Sequence, residues 1–184
     1  MMNLSALKID PEFQGKIPPL NAEEEHILEQ NMIQERRLLN PIIIWNGYIL
    51  DGHSRYRILK HHPEIAFEVK EIQLTDRYAA LAWICQNQLG RRNLDPERRK
   101  FLMGKAYENE KLSVGAPVGN QNKVNQCGQN VHIDLHKRTC ERIAERNGVN
   151  SKFVQRAEKY AKGVDAAEAA VPGAMEGKLT GHIK

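Results

Sequence analysis

Asp51-Gly52-His53-Ser54-Arg55-Tyr56-Arg57 stands where a short apolar strand gives way to a helix. Upstream, Pro41-Ile42-Ile43-Ile44-Trp45 is a β-branched run, Asn46-Gly47 is a turn signal, and Tyr48-Ile49-Leu50 resumes the apolar character. An Asn-Gly pair between two such runs signals a hairpin, because a tight hairpin turn needs positive φ at both central residues. Downstream, Tyr56, Ile58 and Leu59 keep helical spacing, with Arg55, Arg57 and Lys60 between them. Gly52 therefore falls at the first helical turn, where backbone N–H groups lack intrahelical partners and the helix dipole favours an anion. Two arginines within that turn add forked donors matched to phosphate oxygens. These residues describe a phosphate-binding strand-to-helix turn; the alternative is an ordinary hairpin followed by an amphipathic helix with solvated arginines.

Working towards the N-terminus, Phe13 to Ile17 reads as a short edge strand stopped by Pro18-Pro19. Asn21 is placed to cap a helix whose first turn carries Glu23, Glu24 and Glu25, with Ile27, Leu28 and Ile33 as its apolar stripe, ending near Leu39-Asn40 before Pro41. Beyond the Gly52 turn, a helix from Ser54 to His62 ends at Pro63, and the alternation from Ala66 to Leu74 reads as another strand. Thr75-Asp76 caps a helix with Ala79, Ala80, Leu81, Trp83 and Ile84 on its buried side, stopped at Gly90. Asp95 and Pro96 then start a helix to about residue 112 whose face is basic through Arg98, Arg99, Lys100 and Lys105.

Residues 113–137 change character. Their glycines, asparagines and glutamines hold only scattered valines, too little apolar surface to offset the entropy of ordering, and the tract reads as a flexible linker. After it, Thr139 starts a helix that Asn147-Gly148 breaks, and a second helix begins near Ser151. Gly148 supplies a turn, Ala144 allows close approach, and Ile143, Val149, Val154 and Ala157 fill a joint, which meets the demands of a helix-turn-helix. In that motif the second helix enters the major groove, so Asn150, Ser151, Lys152, Gln155 and Arg156 would meet base edges and Lys159 a phosphate, while Arg138, Arg142 and Arg146 hold the backbone. The alternative is a plain helical hairpin.

The charge distribution agrees with a nucleic-acid partner for the second half: residues 1–90 carry 9 Lys/Arg against 12 Asp/Glu, and residues 91–184 carry 18 against 11. Hydrophobic residues make up 41% and charged residues 27% of the chain, and no apolar run approaches the ~20 residues that span a bilayer. No secretory signal is read in residues 1–10. Three cysteines without a Cys-x-x-Cys pair argue against a disulfide framework or a structural zinc site and for a reducing cytoplasm. His53, His61 and His62 match no standard metal spacing, and no serine nucleophile with a paired base is visible.

Taken in order, these motifs resemble the ParB-type proteins of plasmid and chromosome partition, in particular short members of phages and mobile elements. Residues 51–57 look like the family's Gly-Arg box, Gln86 to Pro96 like its Glu-Asn-x-x-Arg and Leu-x-Pro segment, and residues 138–163 like its helix-turn-helix; the likeness covers about 15–165. It implies an α+β fold, a ParB/sulfiredoxin-like small mixed sheet with helices over 1–112, then the 113–137 linker and an all-α DNA-binding domain over 138–184. It also implies a nucleoside triphosphate, CTP among them, held with magnesium by Gly52, His53, Ser54, Arg55 and Arg57, with Asn87 and Arg91 beside them. The implied function is DNA binding in partition or transcriptional regulation, as a cytoplasmic homodimer on plasmid or nucleoid, with a partition ATPase as partner. Two departures bear on the nucleotide: the acid of the second motif, which would help hold a metal, reads Gln86 or Asn87, and no Pro-x-Arg element of the kind that helps read the cytosine base lies near the N-terminus. His53 occupies the place of the sulfiredoxin cysteine, which removes that chemistry. The alternative on the same scaffold is an enzyme: a nucleotide hydrolase, a nuclease or a small-molecule kinase.

Overall fold

A computed structural model of the chain describes residues 4–91, 94–113 and 137–179, the side chains of 176–178 excepted. The linker read at 113–137 lies, apart from its two end residues, outside the described residues. The chain forms two units, residues 1–74 and 75–184.

In the first unit, β1 (Ile42–Trp45) and β2 (Tyr48–Asp51) pair antiparallel about Asn46-Gly47, whose φ angles of 49° and 79° are the positive values a tight hairpin requires. A bulge lies between Ile43 and Ile44. The chain then enters α3 (His53–His61) and returns through β3 (Val69–Glu71), which lies parallel to β1 and gives the strand order β2-β1-β3. A parallel return needs a crossover, and α3 supplies it. Ile42, Ile44, Ile49, Tyr56, Ile58, Leu59 and Ile65 form the core between sheet and helix, joined by Leu7 and Met32. The sheet is therefore packed on one side by the helix that carries the Gly-Arg stretch.

Local capping decides two features that apolar pattern misread. Phe13 lies in α1 (Pro11–Gly15), not in an edge strand: Asp10 Oδ1 accepts from the Glu12 and Phe13 N–H groups, and Pro11 suits the first helical position. Phe13 is fully buried against the rings of Trp45 and Tyr48. The strand-like pairing falls instead on Lys8, which donates to Gly47 O and accepts from Ile49 N–H. α2 (Ala22–Glu35) begins with the expected Asn21 cap, but a left-handed Arg36 (φ 54°) ends it before Leu39. Met32, rather than Ile27 or Ile33, is its buried residue, and the latter two are 53% and 38% exposed.

The second unit is helical: α4 (Arg77–Leu89), α5 (Pro96–Ser113), α6 (Thr139–Asn147), α7 (Ser151–Ala170) and α8 (Ala174–Leu179). Asp76 caps α4 by accepting from the Ala79 N–H. Cys85, Leu89, Phe101, Leu102, Met103 and Ala106 share one core with Cys140, Ile143, Val154, Ala157 and Ala161. The division of the chain thus falls between Leu74 and Thr75, not after residue 112 as expected. The reason is that α5 carries apolar residues around most of its circumference and buries them against both α4 and α7. α7 runs without a break past Gly163 to Ala170.

The α5–α7 crossing depends on Gly104. A Cβ there would lie 2.2 Å from the Ala157 carbonyl oxygen and 2.9 Å from Ala161 Cβ, so only a glycine permits this approach. Gly104→Ala should lower stability to urea by about 1–3 kcal/mol or more, the cost of overpacking a rigid backbone contact. Gly163→Ala, which meets nothing within 4 Å, should instead raise it by about 0.5–1 kcal/mol through helix propensity.

Candidate functional site

The turn at the end of β2 is built around a left-handed Gly52 (φ 104°), which stands at the N-cap of α3 without any side-chain cap. The first-turn N–H groups of that helix therefore have no side-chain acceptor. A side chain at position 52 would meet Arg55 Nη2 at 3.0 Å, Arg55 Nε at 3.2 Å and Ile42 Cγ1 at 3.4 Å. The Arg55 guanidinium thus occupies the space beside the glycine. It is pinned there: Nη2 donates to Asp51 Oδ2 at 3.0 Å and to Pro41 O at 3.3 Å. Nε is buried and has no hydrogen-bond partner.

His53 follows at the first helical position. It is 6% exposed, and neither ring nitrogen has a hydrogen-bond partner. Burial holds its pKa below the ordinary 6.5; the Asp51 carboxylate opposes that shift and the Arg57 cation adds to it. Ser54 is half-buried on the same turn. Arg57 is turned aside, its Nη2 held 2.9 Å from Glu25 Oε1 of α2. The structure therefore gathers Gly52, His53, Ser54 and Arg55 at one turn and ties Arg57 to a neighbouring helix. Asn87 and Arg91 belong to the other unit, Asn87 exposed on α4 and Arg91 exposed just beyond it.

The turn carries groups of the kind that can meet a phosphate. It offers uncapped helix amides, a buried guanidinium N–H and a buried imidazole. It fits magnesium less well, because Asp51, the carboxylate nearest the turn, is already engaged by Arg55. The sequence carried a signal for that pairing, since Asp51 and Arg55 stand four residues apart, but Glu25 as the partner of Arg57 has no such signal. His62, one of the histidines without a metal-site spacing, lies between Glu29 Oε1 (3.0 Å) and Glu64 Oε1 (3.1 Å). Hydrogen bonds to these two carboxylates push its pKa up.

In the second unit, α6 and α7 meet at Gly148, left-handed with φ 63°, whose N–H caps α6. Asn150 caps α7, its Oδ1 accepting from the Phe153 N–H. Val154, Ala157, Ala161 and Val164 face the core. Lys152, Gln155, Arg156 and Lys159 are exposed, and Ser151 is half-buried. Gln155 Nε2 leans back to Cys140 Sγ at 3.8 Å.

The arginines expected to hold a nucleic-acid backbone are committed elsewhere. Arg142 and Arg146 both reach Glu110 of α5, at 3.6 and 2.9 Å, and Arg138 pairs with Glu141. The basic face expected on α5 is likewise spent: Arg98 is buried, Arg99 donates to Leu89 O, Lys100 covers the Tyr160 ring, and Lys105 sits between Glu108 and Asp165. Lys111 and Lys162 share Glu158. Among the described residues of this unit, Lys152, Arg156 and Lys159 are the basic side chains without an ion pair, hydrogen bond or ring contact. Their spacing of four and three residues puts them in one stripe on α7.

No protein-family model matches the chain, and no curated protein matches it. Its structure is similar to that of a Pnob8-like ParB-N domain, with a TM-score of 0.60 and 17% identity, over 97% of this chain and 75% of that one. At that identity the likeness establishes the fold: a ParB-N-like α+β chain with a small three-stranded mixed sheet. Among the described residues no helix is long and apolar enough to cross a membrane.

Gly52→Ala should cost about 1–3 kcal/mol in chemical denaturation, since an L-residue there takes a strained φ and presses on Arg55. The two perturbed histidines should act in opposite senses. A lowered folded-state pKa means that the unfolded chain binds the proton first, so His53 should subtract stability as pH falls through about 6.5. The raised pKa of His62 means its contribution is complete below about 6.5 and lost as pH rises above it. Denaturation curves at pH 5 to 8 for wild type, His53→Gln and His62→Gln would separate the two slopes.

Proposed function

We propose that this is a ParB-like DNA-binding protein in which α6 and α7 act as a helix-turn-helix and the Gly52 turn holds the phosphates of a nucleotide. The observation that carries the DNA half is the stripe of Lys152, Arg156 and Lys159 on α7, where every other described cation of the unit has a partner. Keeping three cations unpaired on one exposed face suits an external polyanion, and a helix fits the major groove. In this reading Lys152 and Lys159 contact phosphates, while Arg156 and Gln155 reach base edges, Gln155 by releasing its long contact to Cys140. Ser151 and the exposed edge of Asn150 border the same groove, although the Asn150 side-chain oxygen is used in capping. Arg142 and Arg146 fix α6 to α5 through Glu110 and so set the angle at which α7 is presented.

The resemblance of the Gly-Arg stretch to the ParB box, together with the fold likeness to a ParB-N domain, supports a nucleotide as the ligand of the turn. Gly52, His53, Ser54 and Arg55 would meet its phosphates. A CTP-class nucleoside triphosphate is the ligand this reading favours, with DNA association as a homodimer. Hydrolysis is not part of the proposal, because the nearest carboxylate is occupied by Arg55.

Lys152→Ala/Arg156→Ala/Lys159→Ala should weaken binding to a duplex on the order of a hundredfold at low salt and flatten the dependence of log K on log salt by about 2 to 3. Gln155→Ala should leave non-specific binding in place and relax sequence discrimination by about 1–3 kcal/mol at one position. Duplex binding by the triple variant equal to wild type, followed by fluorescence anisotropy across salt concentrations, would remove α7 as the DNA-contacting element.

A further inference from the structure

His53 is the feature of the turn that phosphate binding by amides and arginine does not use. It is a polar ring packed out of solvent, at 6% exposure, with two ring nitrogens that make no hydrogen bond. A neutral imidazole carries one donor and one acceptor, and leaving both unmade in a buried place is costly. The charged groups about it are Asp51 at the end of β2, Arg55 and Arg57 on α3, and Glu25 on α2, which partners Arg57. Asp51 is the one acid among them close enough to favour an imidazolium, and it is already shared with Arg55. Asp51 is thus the one group shown to favour a charged ring, and burial outweighs it.

We infer that His53 is a proton-coupled ligand of this turn: a phosphate-bearing molecule seated on the first turn of α3 draws a proton onto the ring, and binding tightens as pH falls. The inference rests on the phosphate-site reading above and adds the regulation of that site. Its chemistry is a protonation equilibrium. A phosphate placed beside the buried ring adds a second anion to the Asp51 carboxylate that Arg55 already shares, and a nearby anion favours the charged form of a histidine. The imidazolium then has two N–H donors where the neutral ring had one. The proton comes from solvent and leaves again when the phosphate does. Such a site couples nucleotide occupancy to pH in the range where histidine titrates.

The experiment is calorimetry of CTP with magnesium on the full chain, at pH 6, 7 and 8, in buffers of different ionisation heat. It is paired with proton NMR titration of the His53 ring with and without CTP. Comparing wild type with His53→Gln subtracts the protonation of CTP itself. The expected result is an excess proton uptake by wild type approaching one, an affinity that tightens by up to about tenfold per pH unit more than in the variant, and a ring midpoint moved to higher pH by CTP. If the variant binds no CTP, the movement of the wild-type ring alone decides. CTP binding with no movement of that midpoint would overturn this inference and leave the phosphate site standing. No CTP binding by wild type at any of the three pH values would overturn the phosphate site, and this inference with it.

Discussion

The left-handed backbone at Gly52 sets the geometry of the first unit. Without a Cβ, the chain leaves β2 at φ 104° and starts α3 within one residue, and the Arg55 guanidinium fills the space the glycine leaves open. Asp51 and the Pro41 carbonyl then hold that guanidinium from both ends of the hairpin. The arrangement is local in sequence for Asp51, which is four residues from Arg55, and non-local for Pro41, which immediately precedes β1 and stands 14 residues from Arg55. One glycine therefore fixes where the crossover helix begins, where its uncapped amides point from, and where a cation stands beside them. His53 follows directly on that glycine and is buried there, with neither ring nitrogen hydrogen-bonded.

A second glycine does comparable work in the helical unit by a different means. Gly104 has no special φ; its role is to let the Ala157 backbone approach α5 more closely than any side chain would allow. Small residues at the crossing (Ala157, Ala161) and bulky ones flanking it (Phe101, Met103, Val164) make a close joint. Carboxylates bind the edges of that joint: Glu110 takes Arg142 and Arg146, Glu158 takes Lys111 and Lys162, and Lys105 takes Asp165. Each of these pairs has one largely covered partner, Glu110, Glu158 or Lys105. Their effect here is on availability, since a cation held by a carboxylate is less free to meet an external anion. What is left over on α7 is a short basic stripe, and that remainder is more informative about partners than the net charge of the unit.

Much of this was legible from residues taken a few at a time. The Asn46-Gly47 hairpin, the Gly52 turn, the Asn21 and Asp76 caps, the Pro96 start and the Gly148 break all rest on interactions within about four residues, which a sequence displays directly. Where the reading went astray, the deciding contact was distant or a competing local cap was stronger. Phe13 sits in a helix because Asp10 and Pro11 outweigh its apolar neighbours. Ile27 and Ile33 stay exposed while Met32 is the α2 residue that joins the core of the first unit. The domain boundary moved from 112 to 74 because the partners of Phe101 and Ala106 lie more than thirty residues further along the chain, on α6 and α7.

By itself, then, the sequence determined the local turns and caps, the presence of a glycine-arginine bend ahead of a glycine-joined helix pair, and the charge asymmetry between the two halves. Only the tertiary structure decided which of the cations remain unpaired, that His53 is buried without partners, and that α4 and α5 belong with the later helices. The physical reason is range. Backbone conformation and capping are set by neighbours along the chain, whereas burial and ion pairing are set by whichever residues folding brings alongside, and one Glu110 can spend two arginines that no spacing rule connects to it.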